Sequence, residues 1–481
     1  MVRQGSKFWW QQVFLYDAAV LLLALLTNLL LWINHEQTPR IASLRQLWLS
    51  AHYPHGWFDA LLNLWDAAML PSVAAMMLLN SLSLWVFVRI ALTVGIGRIT
   101  AFFLFFLINF NPELNAMRFS VHPGQVGTLL WLLSTWSFLA HYRERFYLAF
   151  ASWALLLWLS VPFQPMGAVW ALGFPLCFLF WPGSGSWRHR LWERGRFLLG
   201  YYALVALVLF WLFGGWQELG AILETIKTHF ARVRMEMSML VGGDSTYLLS
   251  IGSALAIAVV LVVIKALKAT GFLILFLLWL SGWRRLKSVL DRRVALFMVV
   301  SLGFAVFAGA LGFLYHGKLP DDIEYQPIVM LLLLWRAAPG VFYVYNRVRE
   351  RRIPPERVLI GAWLLAAYAL GTLVHFGPTP GYRREAGEWA QGQQYVHLYS
   401  NVGETLYFAG GNPLPYSPDF MDIGVPGASF YRIGKNDLLL HVQNRKLPLP
   451  EDFSAFTVLK TFANSRGDKV YALRLKDSHA P

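Results

Sequence analysis

Apolar residues gather in long blocks along the first three quarters of the chain, and short polar or basic connections separate them. A helix needs about 20 apolar residues to cross a bilayer, and by that measure the blocks predict about eleven membrane helices. They run approximately over 13–34, 70–92, 99–110, 124–141, 146–161, 165–181, 197–214, 248–283, 294–315, 326–345 and 357–375. The pattern therefore predicts an α-helical polytopic membrane protein.

The block at 248–283 is too long for one comfortable crossing, and Lys265 and Lys268 lie near its middle. We interpret it as an interfacial segment that leads into a single crossing. With a single crossing here, the total number of spans is odd. The two ends of the chain then lie on opposite sides of the membrane, as the charge distribution requires.

The pattern changes from about residue 376 onward. Apolar and polar positions alternate in "YVHLYS", "DLLLHVQ" and "KVYALRLK", which is typical of strands, whereas "PEDFSAFTVLKTFANS" is predicted to be a helix or helix-like segment. We therefore expect a transmembrane domain over 1–375 and a small α/β domain over 376–481, close to the smallest size that folds on its own core.

Two connections between the apolar blocks, near 35–69 and 215–247, carry amphipathic helical patterns. In "TPRIASLRQLWLSAHY" the apolar positions at Ile41, Leu44 and Leu47 share one helical face. In "GWFDALLNLWDAAML" a polar stripe that begins at Asp59 runs opposite Trp57 and other apolar residues. A third such pattern is "ELGAILETIKTHFARVRMEM". These segments are predicted to be helices that lie in the membrane interface.

Composition agrees with a membrane protein, since 57% of the residues are hydrophobic and only 14% are charged. Basic residues concentrate in one set of connections, which includes "RHRLWERGR", "RRLKSVLDRR" and "NRVRERRIPPER". Because Lys and Arg are enriched in cytoplasmic loops, this set is predicted to be cytoplasmic, with the N-terminus. The loops near 35–69, 109–123 and 215–247 and the C-terminal domain are then exocytoplasmic.

The same distribution excludes other classes of protein. The net charge of +14 comes from short loops at one membrane face rather than from an aromatic-lined groove, which argues against nucleic-acid binding. Cys177 is the single cysteine and lies in an apolar block, so disulfides and cysteine-based metal or nucleophile sites are not expected. No cleavage site follows the first apolar block, which is expected to stay as an anchor.

Several features of the chain together resemble one family. An acidic residue follows the first span, interfacial helices follow in the first external loop, and the second external loop reads "NFNPELNAMRFSVHPGQVGTLLW". A large loop precedes the eighth block, and an exocytoplasmic α/β domain ends the chain. This architecture resembles the GT-C superfamily of integral-membrane glycosyltransferases, and within it the bacterial branch of lipid A aminoarabinose transferases and relatives of protein O-mannosyltransferases.

The resemblance implies a sugar donor on a polyprenyl-phosphate carrier such as undecaprenyl phosphate. The carrier is bound between transmembrane and loop helices, and the sugar is transferred outside the cytoplasmic membrane. We therefore expect a bacterial inner-membrane enzyme of the cell envelope with a periplasmic C-terminal domain. Its partners are expected to be the lipid-linked donor, a lipid, glycan or protein acceptor and membrane lipids, with no nucleic acid.

Such a transfer requires a carboxylate near the acceptor hydroxyl to take its proton. The family usually has an Asp, often followed by Glu, just past the first span, and this chain has His35 and Glu36 there. The resemblance thus implies Glu36 as the base, with Glu in place of Asp. Asp59 and Asp66 in the first external loop are alternatives to it.

The second external loop carries a further acidic candidate at a position where the family often has one. Glu113 lies there, and Arg118 and His122 follow it closely. Catalysis through Glu113 and simple pairing within a solvated loop are both consistent with this spacing. The sequence does not choose between them.

The leaving lipid phosphate requires cations in the exocytoplasmic loops, where Lys and Arg are sparse. A guanidinium suits phosphate oxygens bidentately, which makes Arg232 and Arg234 candidates. Lys318 is a third, because "YHGKLPDDIEYQP" resembles the family's basic residue and Y-x-x-P entry into a late span. His35, beside Glu36, completes the predicted phosphate-binding set.

No spacing of His, Asp and Glu predicts a metal site, and no cofactor is predicted, although a requirement for a divalent metal is left open.

Three other functions remain open. An O-antigen polymerase or ligase would use a polyprenyl-diphosphate donor. A transporter would show inverted repeats, which are not evident. A non-catalytic scaffold for polysaccharide assembly would have the same sequence features as the glycosyltransferase.

Overall fold

The computed structural model describes most of the chain, with gaps that fall mainly in loops. The described residues are 4–34, 41–53, 57–64, 68–111, 114, 118, 120–164, 166–180, 186–212, 220, 224, 227–228, 231, 235, 251–280, 291–316, 322–373, 381–414, 417–420, 433–445 and 451–476. The structural statements that follow concern these residues.

Helices make up most of the described chain. In order they are α1 (Gln4–Asn34), α2 (Ile41–His52), α3 (Trp57–Asn63), α4 (Met69–Thr93), α5 (Arg98–Asn109), α6 (Gly124–His141), α7 (Phe146–Ser160), α8 (Met166–Cys177), α9 (Trp187–Leu212), α10 (Ile251–Leu280), α11 (Arg292–His316), α12 (Asp322–Leu332), α13 (Ala338–Arg349) and α14 (Pro355–Leu373). A π-helical turn, Leu333–Ala337, joins α12 to α13. Each apolar block of the sequence thus contains a helix.

Within the described residues, six of these helical stretches are long and apolar enough to cross a membrane. They are Phe14–Ile33, Met69–Thr93, Gly252–Ala269, Arg292–Leu314, Gln326–Arg349 and Pro355–Leu373, and shorter apolar helices lie between them. The chain is therefore a multi-pass helical membrane protein, as its sequence predicts. The larger number of crossings, about eleven, stays a prediction.

In the long block at 248–283 the structure differs from the predicted interfacial segment followed by a crossing. It forms one uninterrupted helix, α10, of 30 residues. At 1.5 Å per residue this helix is about 45 Å long, which exceeds the ~30 Å hydrocarbon core. Lys265 and Lys268 do not interrupt it, because straight-chain lysines have good helix propensity and their charged ends can reach toward a membrane surface.

The chain divides into two compact units, each built from several stretches of sequence. The bundle unit comprises Met1–Ala24, Leu79–Met117 and Pro123–Ala369. The loop unit comprises Leu25–Leu78, Arg118–His122 and Leu370–Pro481. The C-terminal end of α1, the first-loop helices, a piece of the second loop and the C-terminal domain thus belong to one unit.

Aromatic rings fill the centre of the bundle unit. Phe138 of α6 stacks on Phe297 of α11 at 5.0 Å between ring centroids. Phe178 lies at 5.2 Å from Phe138 and, on its other side, 5.2 Å from Phe174. Offset and edge-on ring pairs of this kind stabilise a core beyond the area they bury, so they fix how α6, α8 and α11 pack.

An ion pair joins α1 and α4 in the bundle unit. Arg89 donates from Nη1 to Oδ2 of Asp17 at 3.1 Å, and its guanidinium carbon lies 5.7 Å from the centroid of the Trp136 ring. Both contacts keep the Arg89 charge satisfied. The pair therefore connects α1 to α4.

The C-terminal domain is a small mixed sheet with helices. Its elements are α15 (Gly381–Gln391), β1 (Leu398–Ser400), α16 (Gly403–Phe408), β2 (Leu438–Gln443), β3 (Phe456–Ala463) and β4 (Lys469–Leu475). The strand order is β1-β2-β4-β3, with β1 and β2 parallel and the other neighbours antiparallel. The three strands predicted from alternating patterns are β1, β2 and β4.

Side chains alternate between the two faces of this sheet. Leu438 and Leu440 pack in one apolar cluster with Ala386 of α15. Leu439, between them in sequence, packs in a different cluster with Phe453. This period of two confirms β2 as a strand that is buried on both faces.

One element of the C-terminal domain was predicted wrongly. "PEDFSAFTVLKTFANS" was expected to be helical, but only Glu451–Ala455 form a short 3₁₀ turn and Phe456–Ala463 form β3. Phe456 pairs with Leu475 and Ala463 pairs with Lys469 across the antiparallel ladder to β4. The β-branched residues of "FTVLKTFA" favour this ladder, which a helical pattern over a short window does not detect.

Candidate functional site

A buried arginine lies at the centre of the loop unit. Arg118, in the connection between α5 and α6, is 2% exposed, and its Nη1 donates to Oδ1 of Asn28 at 3.3 Å. Asn28 in turn donates from Nδ2 to the carbonyl oxygen of Met77 in α4 at 3.2 Å. A guanidinium stays charged, and burying it costs several kcal/mol before pairing. The two contacts connect α1, α4 and the segment that contains Arg118.

Helix α2 is attached to the same piece of the second loop. The backbone N–H of Val121 donates to Oγ of Ser43 at 3.0 Å, and Ser43 donates to Oγ of Ser120 at 3.4 Å. Leu44 and Leu47 on α2 are fully buried. The apolar face of α2 therefore packs against protein, and does not lie open to the membrane interface.

Helix α3 carries a buried carboxylate that ties it to α2. Asp59 is 7% exposed, and its Oδ1 accepts hydrogen bonds from Ser50 Oγ at 2.5 Å and from Gln46 Nε2 at 3.0 Å. Phe58 and Leu62 of the same short helix are buried as well, whereas Trp57 is exposed. Asp59 thus faces protein together with these two apolar residues.

The C-terminal domain contacts the first-loop helices within this unit. Arg45 of α2 donates from Nε to the carbonyl oxygen of Pro413 at 3.1 Å. Helix α16 packs against α2 as well. The loop unit thus joins three segments that are far apart in sequence: the connection that contains α2 and α3, residues 118–122 and the C-terminal domain.

Most of the predicted site residues lie outside the described part of the chain. Asp59 is described and placed as above. Helix α1 ends at Asn34, shortly before the predicted base. The remaining candidates, which lie outside the described residues, are Glu36, Asp66, Glu113, His35, Arg232, Arg234 and Lys318.

Sequence reasoning missed the part that Asn28 and Arg118 have in this unit. Arg118 was noted only as a neighbour of Glu113 in a loop that could be solvated. Asn28 was not noted, although Thr27 and Asn28 are a polar pair inside an otherwise apolar block. Polar side chains within a membrane span are costly and usually have a partner or a function, so that pair was the available signal.

A small cavity lies in the bundle unit. Its volume is about 20 Å³, and its lining includes Trp131, Ser160 and Gln164. The indole Nε1 of Trp131 is buried without a hydrogen-bond acceptor among the described residues, and so is the hydroxyl of nearby Thr128. A space of this size holds about one water molecule and is too small for a sugar. Substrate binding there is therefore not supported.

Metal-ligand side chains do not gather in the described part of the chain. No group of three or more His, Cys, Asp or Glu residues lies close enough there to hold a metal ion. Arg118 and Asn28 supply a cation and an amide, which suit a phosphate or a carboxylate better than a metal.

Comparisons with known proteins give no family for this chain: no family model, no curated protein and no solved structure matches it. The arguments for its function therefore come from the residues and from the geometry of the loop unit.

Proposed function

We propose that this protein is a membrane glycosyltransferase that moves a sugar from a polyprenyl-phosphate carrier to an acceptor hydroxyl on the exocytoplasmic face. The observation that carries the proposal is the buried Arg118–Asn28 contact in the loop unit. It ties the second external loop to the end of the first span, where the carboxylate of Glu36 follows. A lipid-linked sugar presents its phosphate at this depth of the membrane.

In this proposal Glu36 is the general base, and Glu113 is the second candidate. The base takes the proton of the acceptor hydroxyl as that oxygen attacks the anomeric carbon. The bond from the anomeric carbon to the phosphate oxygen breaks, and the carrier phosphate leaves with the bonding electrons. A carboxylate near the acceptor and cations near the phosphate lower the energy of this charge-separated transition state.

We assign the phosphate contacts to Arg232, Arg234, Lys318 and His35. Arg118 is assigned a positioning role, because its guanidinium is buried and bonded to Asn28. Its positive charge also adds to the local potential, which favours an anionic leaving group. Asp59 is assigned to holding α3 on α2, since Oδ1 already accepts two hydrogen bonds.

The acceptor is proposed to be a hydroxyl group of a lipid, a glycan or a protein. Under the predicted topology, the N-terminus is cytoplasmic and the C-terminal domain is periplasmic in a bacterial inner membrane. The attachment of that domain to α2 through Arg45 supports a role beside the site, such as guiding the acceptor.

The first test is donor consumption by the purified protein. Wild-type protein is incubated with a panel of radiolabelled undecaprenyl-phosphate sugars and an extract of envelope lipids and glycans. We expect one donor to be consumed and its label to appear in a product. Consumption of an undecaprenyl-diphosphate sugar alone would contradict the proposal and favour a polymerase or ligase.

A second candidate function, a non-catalytic scaffold, is favoured by one surface of the C-terminal domain. Strand β3 lies at the edge of the sheet, and Val458 and Leu459 on it are exposed. An exposed edge strand can pair with a strand of another protein. Membranes that contain this protein and no partner would then consume no lipid-linked sugar of either kind.

A further inference from the structure

A long apolar groove runs between α7 and α9 in the bundle unit. Its volume is about 680 Å³, and its walls include Ala154 and Leu155 of α7 and Leu204 and Val208 of α9. Leu155 and Leu204 are 63% and 59% exposed. Side chains of this kind favour hydrocarbon as their neighbour.

One end of the groove carries a positive charge. Arg196 lines it there, and its guanidinium carbon lies 5.8 Å from the centroid of the exposed Trp192 ring. No carboxylate among the described residues pairs with Arg196. Its neighbour Arg194 differs, because it donates to the carbonyl oxygen of Phe178 at 3.1 Å. Arg196 thus remains available to an anion from outside the protein.

The depth of this end in the membrane follows from two tryptophans. Trp187 and Trp192 lie in the first turns of α9, and both rings are exposed. Indole rings on membrane helices concentrate at the level of the lipid headgroups. Arg196 directly precedes the predicted span 197–214, so we expect its guanidinium at the depth of the lipid phosphates.

The length of the groove suits one lipid tail. From Arg196 to Leu209 the helix rises about 20 Å, which is more than half of the ~30 Å hydrocarbon core. An acyl chain that starts at headgroup depth would lie along this distance within one leaflet and slightly beyond it. Gly200, which lines the groove midway, leaves space because an added Cβ would meet nothing within 4 Å.

We propose that this groove is a binding site for one anionic phospholipid. One acyl chain lies between α7 and α9, and the phosphate accepts hydrogen bonds from the guanidinium of Arg196. Basic pockets between membrane helices on the cytoplasmic side bind anionic headgroups, and the neighbouring Arg194 raises the local positive potential. The site does not depend on the proposed glycosyl transfer.

The test compares lipids that differ in net charge. Delipidated full-length protein in detergent is titrated with phosphatidylglycerol or with phosphatidylcholine of the same acyl chains, and the rise in unfolding temperature is recorded. Two variants alter the groove: Arg196→Gln removes the charge, and Gly200→Leu fills the space. Matched controls are Arg188→Gln and Gly195→Leu, which lie on the same helix outside the groove lining, with open space around Gly195.

We expect phosphatidylglycerol to stabilise wild type at lower concentration than phosphatidylcholine does. In Arg196→Gln, the half-saturating concentration of phosphatidylglycerol should rise about fivefold, as one basic residue near a membrane surface contributes about 1 kcal/mol. In Gly200→Leu it should rise as well, because the added side chain occupies the space for the acyl chain. The two controls should titrate like wild type. Equal titrations of all five proteins, or equal effects of the two lipids, would overturn the proposal.

Discussion

The Nη1 atom of Arg118 lies 3.3 Å from Oδ1 of Asn28, and both side chains are buried. The contact joins residues that are 90 positions apart in sequence. It therefore holds α1 to residues 118–122 within the loop unit. The proposed function depends on this arrangement of the loop unit.

The effects of removing Asn28 and Arg118 on stability should not be additive. Asn28→Leu or Arg118→Leu alone leaves a buried polar group with one fewer partner, which should lower the free energy of unfolding by about 3 kcal/mol. The double variant should lose less than the sum, with a coupling of about 1–2 kcal/mol. Thermal and chemical unfolding of the purified full chain would measure this. Additive losses would show that the two side chains do not interact.

Arg357→Leu is the control for loss of a positive charge, since this side chain is exposed at the start of α14. It should leave the free energy of unfolding within about 0.5 kcal/mol of wild type. If Arg357→Leu lowered the free energy of unfolding as much as Arg118→Leu does, the loss in Arg118→Leu would come from the change in net charge and not from the broken contact.

Asp59→Asn should loosen α3 from α2 without removing the base. The amide can present only one accepting oxygen and lacks the charge that strengthens the bonds from Ser50 and Gln46. We expect a loss of about 1–3 kcal/mol in the free energy of unfolding, with sugar transfer per folded molecule nearly unchanged. Asn63→Ala, at an exposed position of α3, is the matched control. Loss of transfer in stable Asp59→Asn protein would return Asp59 to the catalytic candidates.

The buried His441 should make the C-terminal domain sensitive to acid. Burial lowers the pKa of this imidazole below its usual 6.5, although a contact of 2.6 Å between Nε2 and Oε1 of Gln443 opposes the shift. The unfolded chain therefore binds a proton at higher pH than the folded domain does. Stability should be fully present above about pH 6.5 and fall as the pH drops toward the lower pKa of the folded state.

Hydrogen exchange of the β2 amides in the full chain would measure this pH dependence. Between pH 7.5 and pH 5.5 the opening free energy should fall in wild type and stay nearly constant in His441→Gln, after correction for intrinsic exchange rates. The same fall in both proteins would show that another group is responsible.

Gly387→Ala should separate α15 from α16. An added Cβ at Gly387 would lie 2.6 Å from the backbone oxygen of Thr405 and 2.7 Å from Cβ of Phe408. Neither atom is the end of a flexible side chain, so we expect a loss of about 1–3 kcal/mol in the domain. Gly392→Ala, whose Cβ would lie 3.6 Å from the oxygen of Trp389, should be nearly neutral. Limited proteolysis of the C-terminal domain would rank the two, and equal resistance would contradict the packing at Gly387.

The apolar pattern was sufficient to predict where the helices are. Periods of 3.6 and 2 are local properties, and they correctly predicted helices in the apolar blocks and the strands β1, β2 and β4. The pattern failed at β3, where pairing of Phe456 with Leu475 overrides a helical spacing. Strand pairing is a tertiary interaction, and a short window of sequence does not contain it.

The candidate site could be predicted only in part for the same reason. Carboxylates and cations in external loops are visible in the sequence, but burial is not. Arg118 looked like a loop cation and Asp59 like part of a polar stripe, yet both are buried. Their environment comes from α1, α2 and residues 120–121, which the chain brings together only on folding.

The most direct measurement is single-turnover sugar transfer by Glu36→Gln. Folding is matched to wild type, Glu356→Gln at an exposed position of α14 is the control, and donor binding is measured in the same samples. The proposed mechanism predicts that Glu36→Gln binds the lipid-linked sugar normally and transfers it at least about a hundredfold more slowly, since a positioned general base contributes about 10²–10⁴ in rate. Transfer at the wild-type rate would contradict Glu36 as the base, and absence of transfer by wild type with every monophosphate donor would contradict the proposed function itself.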